Sequence, residues 1–371
     1  MKVVEVKSRR QLSLFISFPD KLYRDCEYYV PALHSDQRNT LLKNPALEYC
    51  SRKMFLAYDD KGKVAGRICA MINPRYNALY GKKCCRFGWF DTVQDLQIAR
   101  ALIDAASAWA RENGMNQIHG PLFFNTLGKQ GMLVDGFARI PQFNTIYNYS
   151  YYNDFMQALG FEKECDWVQC VNHDFNLPDK LLRISDRIKD RYGLHFGSID
   201  ALKKDPRRVM DFLRMYSDCF SRSVYNFIPF TEAEMRQEAR ESLSMVSDRH
   251  CVLLMDKDDN VAAFGISFPS ISRALQKARG HIFPFGWIHI LRALRGHNET
   301  VDLMLTGVAP GWTSKGLSAL LHAESSKKFK ALGARLAITN PQIETNNAVN
   351  VWSEYPSSPF MRRRCYIKNL D

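Results

Sequence analysis

The residues best placed to do chemistry stand together between Glu299 and Leu332. Over residues 300–308, Val301, Leu303 and Leu305 alternate with Asp302, Met304 and Thr306, the period of a β-strand. Val308, Ala309 and Pro310 lead into Gly311-Trp312-Thr313-Ser314-Lys315-Gly316, after which Leu317, Leu320, Leu321, Phe329 and Leu332 recur at helical spacing. A strand that turns through a Gly/Ser loop into a helix gathers unbonded main-chain N–H groups and the positive end of the helix dipole at one point. Phosphate oxygens suit such a point, so the loop is either a phosphate cradle or a plain strand-to-helix connection.

Other chemistries lack their patterns. His281, His289 and His297 recur every eight residues, which turns each about 80° from the last on a helix and does not cluster them. Neither H-x-x-x-H nor H-E-x-x-H occurs, and no metal site is expected. There is no G-x-S-x-G elbow, and Gly128-Lys129-Gln130-Gly131 lacks the spacing of a nucleoside triphosphate loop. The 10 cysteines contain no C-x-x-C pair, the usage of reduced cytoplasmic thiols.

The elements that must position the loop repeat. A length of 371 residues predicts two domains rather than one core. The first half reads as a strand at 3–6, helices at 12–23 and 36–43, a hairpin at 54–58 and 64–72, a strand at 85–90, a helix at 95–113, a strand at 117–123, a helix at 151–159 and a strand at 161–171. The same order returns from His195: a strand at 195–199, helices at 208–220 and 231–246, a hairpin at 251–255 and 261–268, then the strand, loop and helix already described. A strand at 335–339, a helix at 345–354 and a strand at 362–368 close it. The fold class is α+β, with mixed central sheets flanked by helices, and the domains are 1–194 and 195–371, the second carrying an amphipathic insertion at 270–298.

Val308-x-Pro310-x-x-Thr313-x-x-Gly316-x-Ser318 resembles the pyrophosphate loop of the GNAT superfamily of acyl-CoA N-acyltransferases, V-x-P-x-x-(Q/R)-x-x-G-x-(G/A). Thr313 stands where that pattern has Gln or Arg, and Ser318 where it has Gly or Ala. The repeated element order is also that of the GNAT fold. The resemblance implies acyl-CoA as cofactor, with its pyrophosphate on Thr313, Ser314, Lys315, Gly316, Leu317 and Ser318. It further implies a thioester carbonyl near Leu305, Thr306, Gly307 and Val308, and a cofactor contact from Asn347, which reads equally as a helix N-cap. In the first half the corresponding junction, Phe90-Asp91-Thr92-Val93-Gln94-Asp95, has no glycine, and its acids compete with phosphate. The second copy is therefore the expected cofactor domain.

N-acylation of an amine requires a proton acceptor. Glu299 and Asp302 are available, with Asp302 preferred because it alternates away from Leu303 and Leu305; each reads equally as a solvated strand-edge acid. Tyr366, ahead of Tyr355, is the acid offered to the leaving thiolate. A catalytically inactive GNAT-fold binding module is the rival reading, favoured by Thr313 and Ser318.

Gly120-Pro121-Leu122-Phe123-Phe124-Asn125-Thr126, Gly131 to Phe137 and Tyr147-Asn148-Tyr149-Ser150-Tyr151-Tyr152 resemble uncharacterised bacterial two-domain GNAT-like proteins, some implicated in making bacterial ceramides. That resemblance implies a primary amine acceptor, long-chain and sphingoid-like. The Gly- and Tyr-rich run either lines a substrate site, with Asn125, Tyr147, Tyr151 and Tyr152, or is a packed Ω-loop. The insertion sets Phe285 and Trp287 among Arg273, Lys277, Arg279, Arg292 and Arg295. It reads as an interfacial segment, as one wall of an acyl-chain site, or as a helix covering the sheet. A net charge of +12 favours anionic partners, among them coenzyme A and an anionic membrane surface, but no nucleic-acid-binding motif accompanies it. With no signal-like apolar core at the start and no run of eighteen apolar residues, the expected location is cytoplasmic, with peripheral contact at the inner membrane face.

Overall fold

The computed structural model describes residues 1–176, 179–221, 224–346 and 357–370. In chain order the first repeat contains β1 (Lys2–Glu5), α1 (Arg9–Leu22), α2 (His34–Lys43), β2 (Ser51–Tyr58), β3 (Val64–Ile72), α3 (Pro74–Tyr80), β4 (Cys84–Thr92), α4 (Leu96–Glu112), β5 (Gln117–Gly120), β6 (Met132–Asp135), α5 (Tyr151–Ala158) and β7 (Glu162–Asn172). Next come α6 (Asp179–Tyr192), β8 (His195–Gly197), α7 (Ile199–Leu202), α8 (Pro206–Phe220), α9 (Glu232–Glu241), β9 (Cys251–Met255) and β10 (Val261–Pro269). The remainder is α10 (Ser272–Ala278), α11 (Gly286–Arg295), β11 (Thr300–Val308), α12 (Leu317–Ala331), β12 (Leu336–Ile338), β13 (Gln342–Ile343) and β14 (Ser357–Asn369). The strand–helix–helix, three strands, helix, strand order of the first repeat thus returns from β8 to β12, with the short α7 and the inserted α10 and α11 added.

The chain forms two compact units. The first is Met1–Val168, Ile271–Leu291 and Met361–Asp371; the second is Gln169–Ser270 and Arg292–Phe360. These differ from the expected contiguous division at 194/195. The closing strand β14 pairs with β5 through Tyr366↔Gly120 and Ile367↔His119, which carries the C-terminus into the first unit. The insertion goes there too: Ser272 donates to the carbonyl of Pro141 at 2.7 Å, Gln276 to that of Glu27 at 2.7 Å, and the amide of His34 to the carbonyl of Gly280 at 2.9 Å.

In the first unit the strand order is β1-β2-β3-β4-β5-β14-β7. One face is covered by α4, capped by Asp95, whose carboxylate accepts from Gln97 N, and it buries Ile98, Ala99, Leu102, Ile103 and Ala106. Gly66 lets α4 approach, since a Cβ there would lie 2.7 Å from Leu102 Cδ1. Removing such a buried leucine costs about 2–5 kcal/mol. The other face packs Phe15 and Ile16 of α1 on Leu41, Leu56 and Met71.

In the second unit the order runs from the end of β7 through β12, β11, β10 and β9 to β8. Leu317, Leu320 and Leu321 of α12 pack on Val252, Leu254, Ala262 and Ala263, while Phe212, Leu213 and Tyr216 of α8 cover Phe264 and Ile266 on the opposite face. α6, an element the sequence reading lacks, lies along α12. The strand expected at 117–123 stops at Gly120 because Pro121 has no N–H to continue the ladder. The helix expected at 231–246 ends at Glu241. The one expected at 345–354 lies outside the described residues, except for its first two positions.

Candidate active site

β10 pairs along the whole of β11, but Ile266 faces Leu305 and Ser267 faces Leu303, so Met304 is an extra residue and the strand bulges there. On its other side β11 meets β12 only at Thr300, Val301 and Asp302. Past Asp302 the strands part, and Thr339 donates its amide to Cys170 O at 2.9 Å instead. Among the described residues, positions 303–308 therefore present a main-chain edge with no ladder partner. Gly307 is required on this strand, as a Cβ would lie 2.4 Å from the Phe264 ring.

The edge runs into the loop. Ala309 donates to Ala262 O at 2.9 Å, Pro310–Trp312 makes one tight turn, and Ser314 and Gly316 take φ of 62° and 79°. Left-handed backbone at both positions turns successive amides the same way. Among the described residues the amides of Thr313, Ser314, Lys315 and Gly316 donate to no main-chain carbonyl. Those of Leu317 and Ser318 begin α12, where geometry leaves them without intrahelical partners. The Thr313 hydroxyl turns back onto Pro310 O at 3.0 Å, so this residue offers its main chain outward. Lys315 Nζ lies 4.3 Å from the Trp312 ring centroid and 5.4 Å from that of Tyr192, a cation held next to the free amides. Amides, a helix N-terminus and a fixed cation are the donor set for a diphosphate, and these residues fit one.

The first unit repeats this frame and closes it. β4 meets β5 at Cys84, Cys85 and Arg86 and then diverges, and β3–β4 shifts register beside Trp89, which has φ 46°. Phe123 stacks on Trp89 with ring centroids 3.6 Å apart. Tyr151 donates to Thr92 O at 2.7 Å, and Tyr152 bonds both the amide of Thr92 at 2.8 Å and its carbonyl at 3.1 Å. Asp95 holds the first-turn amide of α4. The positions that could receive a thioester and a diphosphate are thus filled by the protein's own groups.

The other expected site residues divide between the units. Asp302 is fully enclosed where β11 and β12 part, whereas Glu299 is exposed, 3.5 Å from Arg335. Neither carboxylate is exposed on the open edge. Tyr366 is in the first unit, buried, with its hydroxyl on Asn153 at 2.9 Å. Asn347 and Tyr355 lie outside the described residues. Asn125, Tyr147, Tyr151, Tyr152, Phe285 and Trp287 also belong to the first unit. Asn125 caps a turn by accepting from Leu127 N at 3.1 Å, Tyr147 donates to Phe137 O at 3.1 Å, and Tyr151 and Tyr152 hold Thr92. Phe285 and Trp287 are exposed.

Glu238 is a residue that sequence reasoning misses. It stands on α9 near Tyr216, which packs in the aromatic cluster that also takes Met304 and Leu305 of β11. Burial raises its carboxyl above the ordinary range, a property of tertiary placement that no local pattern reports. Cys219 places its thiol 3.2 Å from Val308 O, and burial pushes it up to about 11. Among the described residues His119, Glu164 and Cys365 bring ligand-type atoms within 4.8 Å of one another. Glu164 is already bonded to His119 at 2.9 Å and to Lys82 at 3.2 Å, which makes the group a buried hydrogen-bond network.

No protein-family model matches the sequence. The chain is 26% identical over 98% of its length to Protein YghO of Escherichia coli K12, covering 94% of it, and 26% identical over its full length to a bacterial ceramide synthase of Caulobacter vibrioides, covering 98%. A tandem GNAT protein from the clavulanic acid pathway superposes with a TM-score of 0.55 over 100% of this chain and 98% of that one, at 13% identity. A GCN5-related glucosamine N-acetyltransferase region of a fungal multidomain protein gives 0.59 over 99% of this chain at 15% identity; this chain spans 38% of that one. The chain has the tandem GNAT fold. Within that fold, β11, the loop and α12 in the second unit correspond in element order to β4 and α4 in the first.

Proposed function

We propose that the protein is an acyl-CoA-dependent N-acyltransferase that uses the second GNAT unit for the donor and takes a primary amine, of the long-chain sphingoid type, as acceptor. The observation that carries the proposal is that, among the described residues, the edge of β11 past Asp302 has no ladder partner and continues into loop amides that donate to no main-chain carbonyl, against the closed counterpart in the first unit. The full-length similarity to a bacterial ceramide synthase supports a lipid amine as acceptor.

When bound, the donor supplies an activated thioester carbonyl. The loop amides and Lys315 would hold its diphosphate, and the edge amides of residues 303–308 would donate to the carbonyl oxygen as negative charge develops there. The amine nitrogen forms a C–N bond as the C–S bond breaks; one proton leaves the nitrogen and one is taken up by the thiolate. Glu238, whose carboxyl burial holds above the ordinary range, is the candidate proton acceptor, with enclosed Asp302 as the alternative.

The test is thermal stabilisation of the full chain by acetyl-CoA and palmitoyl-CoA, followed by thiol release on adding a long-chain amine. Stabilisation with amine-dependent thiol release is expected. Stabilisation without release, for any amine, would identify a binding module instead.

A further inference from the structure

Residues 281–287 form a braced projection. Trp287 donates its main-chain amide to Ile282 O at 2.9 Å and its indole N–H to Pro284 O at 3.0 Å. Gly286 closes the turn, since a Cβ there would lie 1.9 Å from His281 O. The base is fixed through Ser272, Gln276 and Gly280, and the His34 and His281 rings meet edge to face with centroids 4.5 Å apart. A turn held this way nevertheless keeps Phe283 at 78%, Phe285 at 68% and Trp287 at 45% exposure. Water-facing aromatics at alternate positions of a rigid turn mark a contact surface.

The neighbouring surface is cationic. Arg273, Gln276, Lys277, Arg279 and His289 line a groove of about 560 Å³, and among the described residues no carboxylate lines it. Aromatic tips beside a basic groove match the two layers of an anionic bilayer surface, acyl boundary and phosphate.

We propose that the 281–287 turn inserts Phe283, Phe285 and Trp287 into the interface of an anionic lipid bilayer while Arg273, Lys277 and Arg279 engage lipid phosphates. This deepens the proposed function, because a long-chain amine would be presented by such a surface. Vesicle binding is measured without donor or acceptor, so its failure leaves acyl transfer untouched, and the converse holds.

The experiment is flotation of the full chain with phosphatidylcholine vesicles and with vesicles containing about 30% phosphatidylglycerol, at low and high salt. Binding to the anionic vesicles, weakened by salt, is expected. The double variant Phe283→Ser/Phe285→Ser should reduce it by roughly ten-fold or more at unchanged melting temperature. Lys277→Glu/Arg279→Glu should do likewise and remove the salt dependence. The proposal is overturned if the wild-type chain does not float with anionic vesicles, if it binds equally after the aromatic substitutions, or if free phosphate protects Lys277 from an amine-acylating reagent while vesicles do not.

Discussion

The hydroxyl of Tyr152 stands 2.8 Å from the main-chain nitrogen of Thr92 and 3.1 Å from its carbonyl oxygen, whereas at the matching residue of the second unit, Val308, the Cys219 thiol lies 3.2 Å from the carbonyl oxygen. Tyr23 supports it with a hydroxyl 3.2 Å away and itself donates to Asp91 at 3.0 Å. Tyr152→Phe leaves the buried Thr92 amide without its acceptor, while Tyr151 still donates to the carbonyl at 2.7 Å, and the expected loss of stability in a urea titration is about 1–3 kcal/mol. Donor affinity of the folded variant should not change. A weakened acyl-CoA affinity would place the donor in the first unit.

Gly316→Asp brings a carboxylate to the loop amides and a side chain against Ile188, whose Cδ1 would lie 2.8 Å from the added Cβ. Coenzyme A binding, measured by calorimetry, should be lost. Gly316→Ala is the control: its strain at φ 79° costs about 1–2 kcal/mol, and binding should survive within about ten-fold. Equal affinity for the Asp variant and the wild type would put the cradle elsewhere.

Proton acceptance separates two carboxyls. If Glu238 takes the amine proton, Glu238→Gln lowers kcat by roughly 10²-fold or more with little change in donor affinity and removes the acid limb of the rate profile. Asp302→Asn would then act mainly on stability, because the side chain is enclosed at the last rung of the β11–β12 pair. The reverse pattern in kcat assigns the role to Asp302.

Burial holds the His119 imidazole below its ordinary pKa, with Glu164 opposing the shift. The unfolded chain then takes up the proton first, near pH ~6.5. Stability linked to this residue is complete above that pH and declines as pH falls toward the depressed folded value. Urea midpoints at about pH 7.5 and about pH 5 should therefore differ less for His119→Asn than for the wild type.

The loop was legible because its signals are local: alternating Val301, Leu303 and Leu305, a positive-φ Gly316, and the leucine stripe of α12. The hairpins followed from Asp59 to Lys63 and from Asp256 to Asn260, where side-chain acceptors close the turns. What stayed hidden is non-local. Tyr151 and Tyr152 have the composition of a binding surface, and their hydrogen bonds to Thr92, about sixty residues earlier, carry no local signal. Tyr366 reads as a second-copy residue by position, yet its strand pairs with β5. Glu238 carries no motif at all. A helix at α6 was hidden among charges, since eight of its fourteen residues are Asp, Lys or Arg.

β14 has a last implication for how such a protein can be taken apart. A polypeptide cut after Leu194 would keep β5 and β7 but lose the strand that fills the gap between them, exposing two ribbons of unanswered amides and carbonyls. Halves expressed separately should clump, and mixing them should restore solubility. The copy with the blocked cleft is thus not spare baggage: it and its sibling are spliced, each finished by chain that belongs in sequence to the other, and neither could be shed without unravelling what remains.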